Sequence, residues 1–340
     1  MLFTTFLNKL IITPIGRDLS LDIFRALGIF CMIVGHVGFG EPFSHFIHAF
    51  HMPLFFFVSG LFFTGNKSLG KFTTNKAKKI LIPYLSFGIF YYIVWLCIDP
   101  SHSASYPLKY LFWDNSVGAG NGMPYVGALW FLTAFFIANI VYYGISHIKS
   151  LGLQLVAILL TVMLGTLFPL ILPFRLPYTI DSGLVGAGFI YCGHKFKNSV
   201  HYDKLSHLST CALLLISILI LLSIFLNGHV NMRTGVYCNV ILFWVNALGC
   251  ILVGINLCNR IIKSKLHIVS CFISWIAIMG RDSLIFLCVN EFVIIGFRRV
   301  LPLQSKILSH SVILILTILM CYGINYFIQH TRLRCFIGKF

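Results

Sequence analysis

Residues 21–36, LDIFRALGIFCMIVGH, form an apolar stretch long enough for most of a membrane crossing, yet they carry Asp22, Arg25 and His36. Ionisable groups at lipid depth are expensive and face protein or water when they persist. Arg25 and His36 are eleven positions apart, close to three helical turns, which puts them on one face about 16 Å apart along the axis. Asp22, three residues before Arg25, is placed to pair with it. The plainer readings are snorkelling of Arg25 to the membrane surface and an interfacial, hydrogen-bonded His36.

Composition sets the class. Of 340 residues, 58% are hydrophobic and 10% charged, against roughly 25% charged in a soluble domain. The net charge of +16 sits in short clusters between apolar runs, as in loops at a membrane surface rather than a nucleic-acid footprint. The fold class expected is an all-α, polytopic membrane bundle of about ten transmembrane helices forming one domain over 1–340. The spans are placed at about 21–40, 46–65, 81–98, 125–145, 151–173, 179–194, 209–227, 236–257, 283–300 and 308–328. Residues 266–280 are apolar but short, and read as an interfacial or re-entrant helix.

With ten spans and a cytoplasmic N-terminus, six basic residues fall outside: Lys109, Arg175, Arg233, Arg298, Arg299 and Lys306. Arg25 lies within the first span, and the other 18 of the 25 lysines and arginines fall inside. This bias places both termini in the cytoplasm of a multi-pass inner (plasma) membrane protein. The longest outer connection, 99–124, contains Pro100, Pro107, Pro124 and the run GAGNG at 118–122, and cannot be helical throughout. It is either a substrate-covering loop or a plain connection. The 11 cysteines are scattered without a CxxC pair and read as small buried hydrophobes, with neither a disulfide framework nor a zinc site. Residues 1–16 lack a signal-peptide cleavage pattern.

The second span opens with a histidine-rich head, His45, His48 and His51, followed by MPLFFFVSG. A short loop brings His51 near His36. Pro53 suits a first helical turn, and Ser59 with Gly60 suits close helix approach. No metal is expected, because no HExxH-like signature accompanies these histidines. A part-buried histidine serves better as a general base on a hydroxyl, or as a nucleophile that carries an acyl group. Either role needs a group to orient the ring, and the acids on offer are Asp181 and Glu291. At the opposite end Lys67, Lys71, Lys76, Lys78 and Lys79 gather with Arg25 and Arg281. They suit a phosphate-rich ligand or the anionic headgroups of membrane lipids. Neither GxxxxGK[ST] nor GxGxxG is present.

These elements together resemble the membrane acyltransferase-3 family, nearest its fucose 4-O-acetylase-like, polysaccharide O-acetyltransferase branch. The resemblance rests on Arg25, ten residues, then His36; on FHMPLFFFVSG at 50–60; on KKILIPY at 78–84; on Trp130-Phe131-Leu132; and on GRDSL at 280–284. It covers nearly the whole chain in order. One position departs: the family often has a histidine six to eight residues after the Ser-Leu pair, where this chain has Asn290-Glu291.

The resemblance implies an O-acetyltransferase that moves an acetyl group from acetyl-CoA, or a related acyl-CoA, to a hydroxyl of a cell-surface glycan or its lipid-linked precursor. No permanently bound cofactor is implied. His36 would be base or acyl carrier, and His51 would support it or position the acceptor. The role of the missing histidine would be either absent here or taken by Asn290 or Glu291. Arg25, Arg281, Lys78 and Lys79 would face the donor phosphates. The rival reading from another class is a membrane transporter or flippase for glycans or small solutes, against which no inverted repeat is visible.

Overall fold

In the computed structural model the described residues are 18–98, 103–117, 122–262, 267–301 and 306–339. The N-terminal segment 1–16 and most of GAGNG lie outside them. The fold is all-α; the one β feature among the described residues is an isolated antiparallel bridge between Asn231 and Val236. The helices in chain order are α1 Leu19–Val37, α2 Glu41–His48, α3 His51–Leu61, α4 Leu69–Ile98, α5 Ser105–Phe112, α6 Trp130–Ser146 and α7 Leu151–Ile171. They continue with α8 Ile180–Lys197, α9 Tyr202–Ser206, α10 Thr210–Asn227, α11 Val240–Ile262, α12 His267–Arg281, α13 Ser283–Val300 and α14 Lys306–His330.

Among the described residues six helices, not ten, are long and apolar enough to cross a membrane: α1, α4, α7, α10, α11 and α14. The expected second span is broken at Ala49-Phe50 into α2 and the 11-residue α3. The expected fourth begins only at Trp130 and is 17 residues long. The sixth and ninth become α8 and α13, each 18 residues with three charges, Asp181, Lys195 and Lys197 in one and Glu291, Arg298 and Arg299 in the other. Those helices are held by protein rather than lipid. Ten of the 11 residues of α3 are buried, whereas α7, α10 and α14 turn long apolar faces outward. A helix buried by its neighbours needs no apolar composition. The inside–outside tally of basic residues drawn on ten crossings falls with them. The expected third span is the second half of the 30-residue α4, which carries Pro83 internally. The stretch placed at 266–280 is the 15-residue α12, which packs along α1.

Two helices organise the rest. α1 is started by Asp18, whose carboxylate accepts from the amides of Ser20 and Leu21 at 3.0 and 3.4 Å, satisfying orphan donors of the first turn. It stops at Gly38, whose left-handed φ of 81° returns its amide to the carbonyl of Val34. Around it stand α3, α11, α12 and α13. The second organiser, α8, packs against α3, α6 and α7. Its crossing with α3 is backbone on backbone: a methyl on Gly60 would strike the carbonyl of Ile190, and one on Gly193 would strike the carbonyl of Phe57. Only glycine allows this approach, which is the packing expected of Gly60. Pro53 occupies the first turn of α3 as expected.

Candidate active site

His36 projects from the last turn of α1 with a polar side chain beside each ring nitrogen. Nδ1 lies 2.6 Å from Oδ1 of Asn290. The Asn290 amide nitrogen donates to the carbonyls of Phe286 and Leu287 at 2.9 and 2.8 Å, so its oxygen is the acceptor and His36 Nδ1 carries the proton. Nε2, then the basic nitrogen, lies 3.5 Å from Oε1 of Glu291. The two positions where the sequence departs from the family pattern thus hold the two sides of this ring.

Glu291 is itself fixed. Its Oε2 accepts from the amides of Gly127 and Ala128, the latter at 3.0 Å. Residues 123–129, expected to lead into a span that opens at 125, form instead a buried non-helical approach to α6, with Tyr125 at a φ of 63°. Two consecutive amides freed from helix geometry supply the grip on the carboxylate. Asp181, the other candidate acid, is 2.7 Å from Arg175, a charge contact without hydrogen-bond alignment, and it forms no ion pair with His36.

His36, His51 and Glu291 line one cavity of about 330 Å³, together with His48, Trp130 and Arg233. His51 is buried, and its Nδ1 donates to the carbonyl of Ile47 at 2.8 Å, leaving Nε2 free. His48 Nδ1 donates likewise to Ser44 at 2.7 Å, and the two rings meet edge to face at 5.1 Å.

A second cavity of about 450 Å³ is lined by Arg25, Lys76, Lys79 and Arg281, with Ser59, Phe55 and Phe131 among its other walls. Arg25 is 2.9 Å from Asp22, the pairing its spacing anticipated, and lies over the Phe62 ring at 4.9 Å. Arg281 pairs with Asp282 at 2.9 Å, and Gly280 before it lets α12 touch the backbone of α1 at Asp22. Lys79 lines the cavity, whereas Lys78 does not. Lys76, which the sequence shows only as one lysine in a cluster, donates to Asn139 Oδ1 at 2.6 Å. Ser59 shares that acceptor at 3.0 Å, so it does more than pack. The three-residue spacing of Lys76 and Lys79 is the available signal that both share a face.

The two cavities are stacked on the same elements. α1 gives His36, Gly35 and Met32 to the first, Ile29 and Arg25 to the second; α3 gives His51 and Met52, then Phe55, Val58 and Ser59. α13 gives Glu291, then Leu287, Leu284 and Ser283. In the wall of the second cavity Phe55 and Phe131 meet edge to face at 5.8 Å.

The acyltransferase-3 family model, described as an acyltransferase domain, matches residues 18–326. No curated protein and no solved structure matches the chain. The family match spans both cavities and every helix that lines them, and the chain is a multi-pass membrane member of the acyltransferase-3 family.

Proposed function

We propose that the protein is a membrane O-acetyltransferase that takes acetyl-CoA at the Arg25 cavity and acetylates a hydroxyl of a cell-surface glycan, or its lipid-linked precursor, at the His36 cavity. The observation that carries this reading is the stacking of a four-cation cavity and a histidine–carboxylate cavity on shared helices. Guanidinium and ammonium groups match the phosphates of CoA. The lysines that crowd the Arg25 end favour the cytoplasm on that side, where acyl-CoA is found. With the chain in the inner membrane, both termini are then cytoplasmic, since α1 starts at that end and Gly338 lies against the backbone of Lys78. The fucose 4-O-acetylase-like branch is the subtype its motifs favour.

In the reaction, Nε2 of His36 takes the proton of the acceptor hydroxyl as the oxygen attacks the thioester carbonyl. Glu291, 3.5 Å away, meets the positive charge this creates on the ring. The tetrahedral intermediate collapses with cleavage of the carbon–sulfur bond, and the departing CoA thiolate takes the proton back from Nε2. The products are the O-acetyl ester and free CoA. His51, with Nε2 free in the same cavity, positions the acceptor. A proton-transfer role of this kind contributes about 10²–10⁴-fold.

The test is CoA release from acetyl-CoA by purified protein in nanodiscs, together with acetyl content of glycan in cells. His36→Ala at matched expression is expected to abolish both. Unchanged CoA release and glycan acetylation in His36→Ala would overturn the assignment, and transport of a glycan without thioester cleavage would favour the transporter.

A further inference from the structure

Arg233 lines the His36 cavity from a turn closed by a single bridge, which the sequence shows only as part of a loop. The turn is tied by the Asn231–Val236 bridge, at 2.7 and 3.0 Å, and by the Asn231 side chain, which accepts from the amide of Arg233 at 3.1 Å. It is clamped from below. Arg175, held by Asp181 at 2.7 Å, donates to the carbonyls of Arg233 and Thr234 at 2.9 and 2.8 Å. Ser182 donates to the carbonyl of Met232 at 2.6 Å. The backbone under Arg233 is therefore built to hold one position.

Its side chain is not used by that framework. Among the described residues Arg233 has no ion pair, and its Nε is buried without a hydrogen-bond partner. Burial works against its charge and Glu291 supports it from a distance. Glu291 does not consume it, since Oε2 is taken by two amides and Oε1 faces His36. The other arginines at this end are engaged elsewhere: Arg298 donates to the carbonyls of His36 and Val37 at 3.1 and 2.9 Å, and Arg299 lies over Tyr125 at 5.8 Å. A guanidinium that is part-buried, carried on a braced backbone and without an ion pair invites an anion, and its planar fork suits carboxylate or phosphate.

We infer that Arg233 binds an anionic group of the acceptor, a sugar carboxylate or a lipid-carrier phosphate, and so presents the neighbouring hydroxyl to His36. This names the acceptor class for the acetyl transfer proposed above and rests on that reading. The cavity, at about 330 Å³, is at the small end of ligand pockets, about 300–1,000 Å³, and has room for a terminal unit rather than a chain.

The experiment is saturation-transfer NMR on the full-length protein in nanodiscs, with two matched pairs of probes: methyl glucuronide against methyl glucoside, and farnesyl phosphate against farnesol. One charged probe is expected to bind about tenfold or more tightly than its neutral partner, with Arg233→Gln removing that preference and Arg233→Lys keeping part of it. A preference confined to the glucuronide identifies the sugar carboxylate, and one confined to farnesyl phosphate identifies the carrier. No charge preference, or one that survives Arg233→Gln, overturns the inference. CoA release is scored separately. A protein that cleaves acetyl-CoA without Arg233-dependent binding loses only the anion site, while one that binds through Arg233 and never releases CoA loses only the transferase reading.

Discussion

Asn290 accepts the Nδ1 proton of His36 at 2.6 Å, and that contact decides what the other side of the ring can do. With the proton held on Nδ1, Nε2 is left with its lone pair in the cavity. Asn290→Ala removes the lock and lets the tautomers exchange. We expect kcat for acetyl transfer to fall about tenfold or more with KM for acetyl-CoA unchanged, because Asn290 lies outside the Arg25 cavity proposed to take the donor. A rise in KM with kcat preserved would show that Asn290 acts on binding instead.

Glu291 combines a charge for His36 with an acceptor for two backbone amides. Glu291→Gln keeps an acceptor for the amides and discards the charge, so the two roles separate. The expected outcome is a loss of kcat of about tenfold or more with little change in thermal unfolding. Glu291→Ala should add instability, since two buried amides lose their partner at about 1–3 kcal/mol each. Comparing unfolding temperature with kcat across the two variants checks the separation.

Much of this site is legible in the sequence, and what is hidden there has a physical reason. Helical periodicity alone puts Arg25 and His36 on one face, and three-residue spacing pairs Asp22 with Arg25. Periodicity carries no information about contacts across 254 residues, so it could not choose between Asp181 and Glu291 as the partner of His36. Length and hydropathy likewise treat a helix buried in protein and a helix facing lipid as one thing, which is why α3, α6, α8 and α13 inflated the expected crossings. Arg233 gave no signal, because a lone arginine in a loop looks the same whether it faces water or a cavity.

Lys78 and Lys79 are neighbours in sequence, but only Lys79 lines the Arg25 cavity, since one residue turns about 100° around a helix. Lys79→Gln should raise KM for acetyl-CoA several-fold and weaken its dependence on ionic strength, as expected for a lost charge-assisted phosphate contact. Lys78→Gln should leave KM in place. Equal effects from the two would mean that the whole lysine cluster acts as a diffuse field.

At the α3–α8 crossing, Gly60 and Gly193 each lie against a backbone carbonyl of the other helix, and a carbonyl cannot rotate away as a side chain can. Alanine at either position should push the helices apart at about 1–3 kcal/mol, the usual range for overpacking. Gly144 in α6 is the control: a methyl added there would meet nothing within 4 Å, so alanine should be neutral or slightly stabilising. Thermal unfolding in detergent reads all three.

The Arg175–Asp181 pair makes the last prediction, because two roles for Asp181 separate cleanly there. As the acid that orients His36, its removal would lower kcat and spare the fold. As the buried counter-charge that holds Arg175 under the Arg233 turn, its removal leaves a cation without its partner, with a loss of about 3–5 kcal/mol. The contact at 2.7 Å and the two carbonyls that Arg175 reaches in the turn favour the second. Asp181→Asn should therefore lower the unfolding temperature markedly. Replacing both partners with apolar residues should recover part of that loss, since no charge is then left unpaired. An Asp181→Asn protein with full thermal stability and a tenfold lower kcat would instead place Asp181 with the catalytic residues.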